Sequence, residues 1–261
     1  MRINLMVRET GERDIGAYEA AYSSDYDFET IAVQFRREAV LRSLHARKPE
    51  HVIEIGCGLE PLLPHYAAQG GVVQRWVVAE PADTFVEAAR KAATGHPELF
   101  VEQGFFEDLA ARVVETHGKA DMVICTGLLQ EVPDQMRMLE AITHVMRPDS
   151  IVHVSVANAS SLHRRLAQAM GLIGGLRDMS ARNVMLQQHR VYDMESLLGD
   201  LRAAGLQPIR QGGILLKPFA HAQMQAILPI LGDDVLLGLG KIGEQFPELA
   251  SEIFVDAMLL P

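Results

Sequence analysis

Cysteine is scarce, with only Cys57 and Cys125 in 261 residues. Both fall in apolar stretches expected to be buried, so a disulfide framework is excluded and a reducing cytoplasm is the expected location. Neither has a Cys or His partner at ligand spacing, which argues against a zinc site and leaves no metal expected. Long apolar runs are missing too. The longest fall well short of the ~20 residues that span a bilayer. Met1-Arg2-Ile3-Asn4 is followed at once by polar and charged residues, so no signal peptide is expected. Positive charge is in deficit, with 24 Lys and Arg against 34 Asp and Glu and a formal charge of -10. That balance disfavours a broad nucleic-acid or anionic-membrane footprint, so neither partner is expected. Internal repeats and low-complexity segments are also lacking. What remains is a chain long enough for one α/β domain with additions.

The organising stretch runs from His51 to Glu60. Val52, Ile53 and Ile55 read as a buried strand, Gly56 and Gly58 as a turn, and Leu59–Ala68 as a helix with Pro61 in its first turn. Glycine suits such a turn because a side chain would hold the backbone away from a ligand. A second strand, Arg75–Glu80, ends in an acid about twenty residues beyond the glycines, the spacing at which a carboxylate reaches both ribose hydroxyls. Strand, turn and helix make a nucleotide-binding crossover.

Glu54-x-Gly56-x-Gly58 followed by Glu80 resembles the class I S-adenosylmethionine (SAM)-dependent methyltransferases. The resemblance covers roughly residues 30–215. It implies a three-layer Rossmann-like α/β fold, with a seven-stranded, mostly parallel sheet and an antiparallel last strand. Its cofactor would be SAM and its substrate a small molecule. Many members have a third glycine where this chain has Glu60. That loss, together with Glu54 beside the turn, argues against a pyrophosphate and hence against a nicotinamide oxidoreductase, as does the lack of a recognisable Tyr-x-x-x-Lys pair. Glu54 is instead expected to attract the SAM ammonium, directly or through water. Intact glycine and ribose elements also argue against a non-catalytic interaction protein of the same fold.

The remaining landmarks follow in order. Residues 1–28 read as an arm that either folds over the cofactor as a lid or packs on the surface through Tyr18, Tyr22 and Tyr26. Phe28–Arg47 is a helix closed by Pro49, in which one of Arg36 and Arg37 reaches inward; Arg37 is the candidate for the SAM carboxylate. After a strand at Leu99–Val101, Phe105 stands where the family often has an adenine-binding acid. Phe105 or Phe106 is expected to cover the adenine face, or else to be plain core. The fourth strand, Ala120–Cys125, leads to Thr126-Gly127-Leu128-Leu129-Gln130-Glu131, which resembles the family's stretch beside the methionine moiety. Thr126 is expected on the cofactor and Gln130 near the acceptor. Glu131 replaces a frequent family histidine. Arg147-Pro148-Asp149 reads as a turn before the strand Ile151–Val156. Asn158 is expected at that strand's ligand end, with Ser160 or Ser161 capping a helix that carries His163 and Arg164. His153, His163 and His189 are candidate bases, His153 ranking last as a core residue. Leu206–Leu216 reads as a strand broken at Gly212-Gly213, residues 219–247 as a helical insertion that shapes the pocket or makes a homodimer surface, and 251–257 as the last strand.

Two reactions fit this pattern. One moves a methyl group to O or N of a small molecule, in bacterial secondary metabolism or glycan tailoring. It needs alignment and water exclusion more than a dedicated acid or base. The other is a SAM-consuming cyclisation, in which the SAM amino group attacks its own γ-carbon to give azetidine-2-carboxylate and methylthioadenosine. Tyr22, Tyr26, Ser155 and Asn158 would then orient the ammonium.

Overall fold

The β-branched runs at 51–55, 75–80 and 120–126 become adjacent parallel strands. The computed structural model describes residues 13–24 and 28–259. The first half of the chain holds α1 (Ile15–Ser24), α2 (Glu29–Arg47), β1 (His51–Ile55), α3 (Leu62–Ala68), β2 (Arg75–Glu80), α4 (Asp83–Ala93), β3 (Leu99–Gln103), α5 (Phe106–His117) and β4 (Ala120–Thr126). The second half holds α6 (Gln135–Val145), β5 (Met146–Ala157), α7 (Leu162–Ala169), α8 (Ala181–Met185), α9 (Met194–Ala203), β6 (Leu206–Ile214), α10 (His221–Ile227), α11 (Asp233–Gln245) and β7 (Glu252–Leu259). Seven strands form one sheet in the order β3-β2-β1-β4-β5-β7-β6. The first five run parallel, and β7 inserts antiparallel to both β5 and β6.

All five residues of β1 are buried because helices cover both faces of the sheet. Ile53, Ile55, Val77, Val123 and Cys125 pack with α5, α6 and α9. Val52, Trp76, Val78, Met122 and Ile124 pack on the opposite face with α2 and α3. Glu54 shares the second face by strand alternation. A third cluster joins Phe28, which caps α2, and Ala32 of α2 to Ile214, Leu215, Met224, Leu236 and Phe254, seating the helical segment between β6 and β7 against the sheet.

Four local expectations change. The helix after the glycine turn begins at Leu62, not Leu59. Pro61 disfavours α geometry at the preceding Glu60, and itself adopts ψ 147°. The expected turn at Arg147–Asp149 is a bulge within β5, where the pairing with β4 jumps from Ala120–Met146 to Met122–Ile151. Pro148 offers no ladder N–H there, and Ser150 Oγ closes the bulge by accepting from Arg147 N and donating to Ala120 O. Gly212-Gly213 does not break β6. A Cβ on Gly212 would lie 2.5 Å from the Phe254 ring, and one on Gly213 would lie 2.3 Å from Gly243 O. Both glycines serve close approach. Ser161 precedes α7 but makes no side-chain cap, and its Oγ has no hydrogen-bond partner. No helix among the described residues is long and apolar enough to cross a membrane.

Candidate active site

The glycine turn leaves β1 at the carboxyl edge of the sheet. Gly56 and Gly58 adopt φ of 71° and 58°, values that side-chain-bearing residues rarely take. A Cβ on Gly58 would meet nothing within 4 Å, so the turn borders open space. Gly56 N donates to Ala79 O at 2.9 Å, tying the turn to β2. Two carboxyls face this region. Glu54 accepts from Trp76 Nε1 at 2.8 Å and from Leu62 N at 3.2 Å, which joins β1, β2 and the start of α3. Glu80 accepts from Ala82 N at 3.0 Å. Burial pushes each carboxyl up to about 7, against the hydrogen bonds that favour the anion.

A cavity of about 490 Å³ opens from the turn. That lies within the ~300–1,000 Å³ usual for small-molecule sites. Glu54, Gly56, Gly58, Glu80 and Thr126 line one end. A smaller apolar pocket adjoins it, lined by Glu80, Pro81, Phe105, Glu107 and residues of the arm. There the Arg13 guanidinium lies 3.8 Å over the Phe105 ring and pairs with Glu107. The arm is held by Asp14 N donating to Gln187 Oε1 at 3.0 Å and Gln187 Nε2 donating to Asp14 O at 2.8 Å. Tyr18 meets Phe85 edge-on at 6.1 Å.

The far end of the large cavity is built from α2, the β6–α10 link and β7. Arg36 Nε donates to Glu252 Oε2 at 2.7 Å, and its Nη2 donates to Glu252 Oε1 at 2.6 Å and Glu29 Oε1 at 3.0 Å. His221 Nε2 donates to Glu29 Oε2 at 3.0 Å, and Lys217 Nζ donates to His221 Nδ1 at 2.7 Å. Burial alone would raise the Glu29 carboxyl, but His221 and Arg36 outweigh it and hold it far below the usual carboxylate range. Burial lowers His221 despite Glu29, so its ring is neutral at pH 7 and Nδ1 accepts. Burial also pushes the Lys217 ammonium down to about 8.

A family model described as a methyltransferase domain matches residues 29–211. The chain belongs to the class I SAM-dependent methyltransferases. No curated protein matches by sequence. Among solved structures, a SAM-dependent methyltransferase from Mesorhizobium loti is 12% identical with a TM-score of 0.55, covering 84% of this chain and 96% of that one. A SAM-dependent methyltransferase from Thermotoga maritima, described as a possible histamine N-methyltransferase, is 17% identical with a TM-score of 0.55, covering 94% and 96%. The plantazolicin methyltransferase BamL, solved with a desmethyl analogue and S-adenosylhomocysteine, is 12% identical with a TM-score of 0.54, covering 94% and 97%. At these identities the structures speak for the shared fold, with its seven-stranded sheet and antiparallel β7.

SAM is the cofactor of this methyltransferase, and the cleft fits it. The left-handed glycines leave room beside a strand-terminal acid. Residues that line the same cavity hold buried polar atoms with no protein partner, among them Arg37 Nε, Gln130 Oε1 and His163 Nδ1. Most of the candidate residues line the cavity, though several of these also hold other bonds. Arg37, Glu54, Gly56, Gly58, Glu80, Thr126, Gln130, Asn158 and His163 line the large cavity, and Phe105 lines the adjoining pocket. Phe106 is 2% exposed and packs in the main core, touching the smaller pocket from below. Asn158 Nδ2 donates to the carbonyls of Pro247, Glu248 and Ala250, while its Oδ1 accepts from Ser160 N. It is a brace for the loop before β7. Arg37 pairs with Glu60, and Gln130 Nε2 donates to Gly127 O at 2.7 Å. Tyr26 lies outside the described residues, as does the side chain of Tyr22 within α1.

Arg36 and Arg37 of α2 both turn inward, where one of the two was expected to be solvated. His153 is fully buried against Asp256 at 2.6 Å, apart from the cavity. Arg190 donates to the carbonyls of Leu129, Val132 and Pro133, so it clamps the loop after β4. Burial raises both thiols, Cys125 to about 12, which makes neither a nucleophile at neutral pH. Sequence reasoning missed Glu29, Lys217, His221 and Glu252. One signal was available: Lys217 follows the apolar run Ile214–Leu216, where a charge is out of pattern.

Proposed function

We propose that this methyltransferase moves the SAM methyl group to an oxygen or nitrogen of a small molecule. The observation that carries this reading is the continuity of the cavity. One continuous cavity joins the glycine turn and Glu80 to the Glu29–His221–Lys217 cluster, which no part of the cofactor-binding motif requires. Bound SAM supplies an electrophilic methyl on a positively charged sulfur. The protein's own work is then positional. Glu80 takes the ribose hydroxyls, Glu54 draws the ammonium, and Arg37, which lines the cavity, meets the carboxylate. Gln130 and Thr126 border the methyl, and the arm residues Arg13 and Tyr18 help close the cleft against water. The T. maritima protein, described as a possible histamine N-methyltransferase, and the plantazolicin methyltransferase BamL are consistent with this substrate class.

Cyclisation of SAM without an acceptor is less favoured. Asn158, one of the groups assigned to orient the ammonium, is bonded to four backbone groups instead. The test is transfer of isotope from methyl-labelled SAM to small molecules extracted from the source cells. A labelled product below about 1 kDa with stoichiometric S-adenosylhomocysteine supports the proposal. Label appearing only in macromolecules overturns it.

A further inference from the structure

The cluster at the far end of the cavity discriminates between acceptor atoms. Lys217 is 4% exposed and lies three residues beyond β6. Its anchoring is rigid. Leu215 takes a left-handed φ of 54°, Leu216 N donates to Leu239 O, and Ser251 N donates to Leu215 O. Among the described residues its only hydrogen-bond partner is His221 Nδ1, and that acceptor is fixed by Glu29 on the other ring nitrogen. Phe28 packs edge-on against the His221 ring at 6.0 Å and holds its plane. One N–H of Lys217 is therefore used, and the rest of the group faces the cavity it lines.

Building on the methyl-transfer reading above, we propose that Lys217 is a catalytic residue contacting the acceptor, and that the acceptor is an acidic hydroxyl, a phenol or enol, rather than an amine. Charge argues for this. Glu29 and Glu252 are balanced by Arg36 and Arg182, so Lys217 in its protonated form leaves the cluster with one excess positive charge around a neutral His221. His163, which also lines the cavity, is neutral too, driven down to about 2 by burial and by Lys217, His221 and Arg164. An amine would arrive as an ammonium and meet like charge. A phenol, with a reference pKa of about 10, lies within reach of a lysine poised near 8, whereas an aliphatic alcohol does not. In the step, Lys217 Nζ acts in its deprotonated form, which a value near 8 brings within reach, and takes the acceptor O–H proton. An oxygen lone pair forms the O–C bond to the methyl carbon as the C–S bond breaks. That bonding pair stays on sulfur, giving the methyl ether and neutral S-adenosylhomocysteine. The Lys217 ammonium then returns its proton to solvent.

The test uses the full chain saturated with S-adenosylhomocysteine and 4-nitrophenol as probe, whose yellow anion reports its own ionisation. The expected result is binding with the probe's pKa lowered by about one unit, a tenfold gain in ionisation. Lys217→Met abolishes the shift and Lys217→Arg, which keeps the charge, restores it. Both variants keep S-adenosylhomocysteine affinity within about twofold of the parent, a calorimetric check that the cofactor site is intact. Competition in the unmodified chain needs no variant: benzylamine at equal concentration should fail to displace the probe. Absence of probe binding, an unchanged shift in Lys217→Met, or displacement by benzylamine overturns the proposal. Failure of the unmodified chain to bind S-adenosylhomocysteine would instead remove the methyl-transfer reading beneath it.

Discussion

Replacing Glu80 by Gln tests the cofactor site with the least disturbance. The amide keeps an oxygen for the Ala82 N–H, so the turn after β2 retains its bond. What disappears is the negative charge and one acceptor. A hydrogen bond to an ionised group contributes about 1.5–3 kcal/mol, so SAM affinity should fall about 10- to 150-fold. The structure adds a pH signature. Burial raises the Glu80 carboxyl to about 7 from an ordinary value of 4.5. Above pH 7 it is ionised and ready for the ribose. Below pH 7 it is protonated in the ligand-free chain, and binding must drive off that proton. The ratio of parent to variant affinity should therefore be largest near pH 8 and shrink by up to about tenfold for each unit below 7. Calorimetry at pH 6, 7 and 8 in buffers of different ionisation enthalpy reads affinity and proton release together. An affinity ratio near one, or a ratio that does not move with pH, would refute the ribose assignment.

Three further outcomes follow from the geometry. Gly213→Ala places a Cβ 2.3 Å from Gly243 O and 2.7 Å from Pro247 Cα, backbone atoms that cannot swing aside; it should destabilise by about 1–3 kcal/mol, read as a lower denaturation midpoint with an unchanged slope. Asn158→Ala orphans three carbonyls and the Ser160 N–H. It should lower stability by about 1–3 kcal/mol yet leave SAM affinity within about threefold, whereas a direct ligand role would give the opposite pattern. His163 is held neutral in the folded chain, its pKa lowered from 6.5 to about 2. Its neutral form stabilises fully above 6.5, and that contribution is lost as pH falls, by up to about 1.4 kcal/mol per unit. His163→Asn should flatten the fall in melting temperature between pH 6.5 and 5; parallel curves for parent and variant would contradict this.

What the sequence revealed and what it hid divide along contact distance. The strand limits of β2 at Arg75–Glu80, the glycine turn and Glu80 were legible because strand, turn and acid act within thirty residues of one another. The start of α3 was misplaced because Pro61 was read as a first-turn residue, whereas its steric exclusion of α geometry at Glu60 delays the helix to Leu62. Gly212-Gly213 read as a break because two glycines usually interrupt a strand. Only the neighbouring Phe254 ring and the Gly243 carbonyl explain them. The acceptor end was the least legible part. Glu29 and His221 are 192 positions apart, and Arg36 and Glu252 are 216 apart. They meet because β7 inserts between β5 and β6, and because the helical segment folds back onto α2. Glu29 had a sufficient local reading as an acid in a helix's first turn, which concealed its second use. His163 and Asn158 were singled out by their position after β5, and both do line the cavity, but only coordinates distinguish a half-free imidazole from an amide tied to four backbone groups.

In the proposed reaction SAM binds in the cleft formed by Glu54, Gly56, Gly58 and Glu80 and gives up its methyl group only to an acceptor. The direct measurement is incubation of the purified chain with SAM alone, then with a phenolic acceptor panel, followed by mass spectrometry of every adenosine-containing species. The account predicts bound, unchanged SAM in the first reaction and S-adenosylhomocysteine matched by a methylated product in the second. Multiple-turnover release of methylthioadenosine from SAM alone would contradict it.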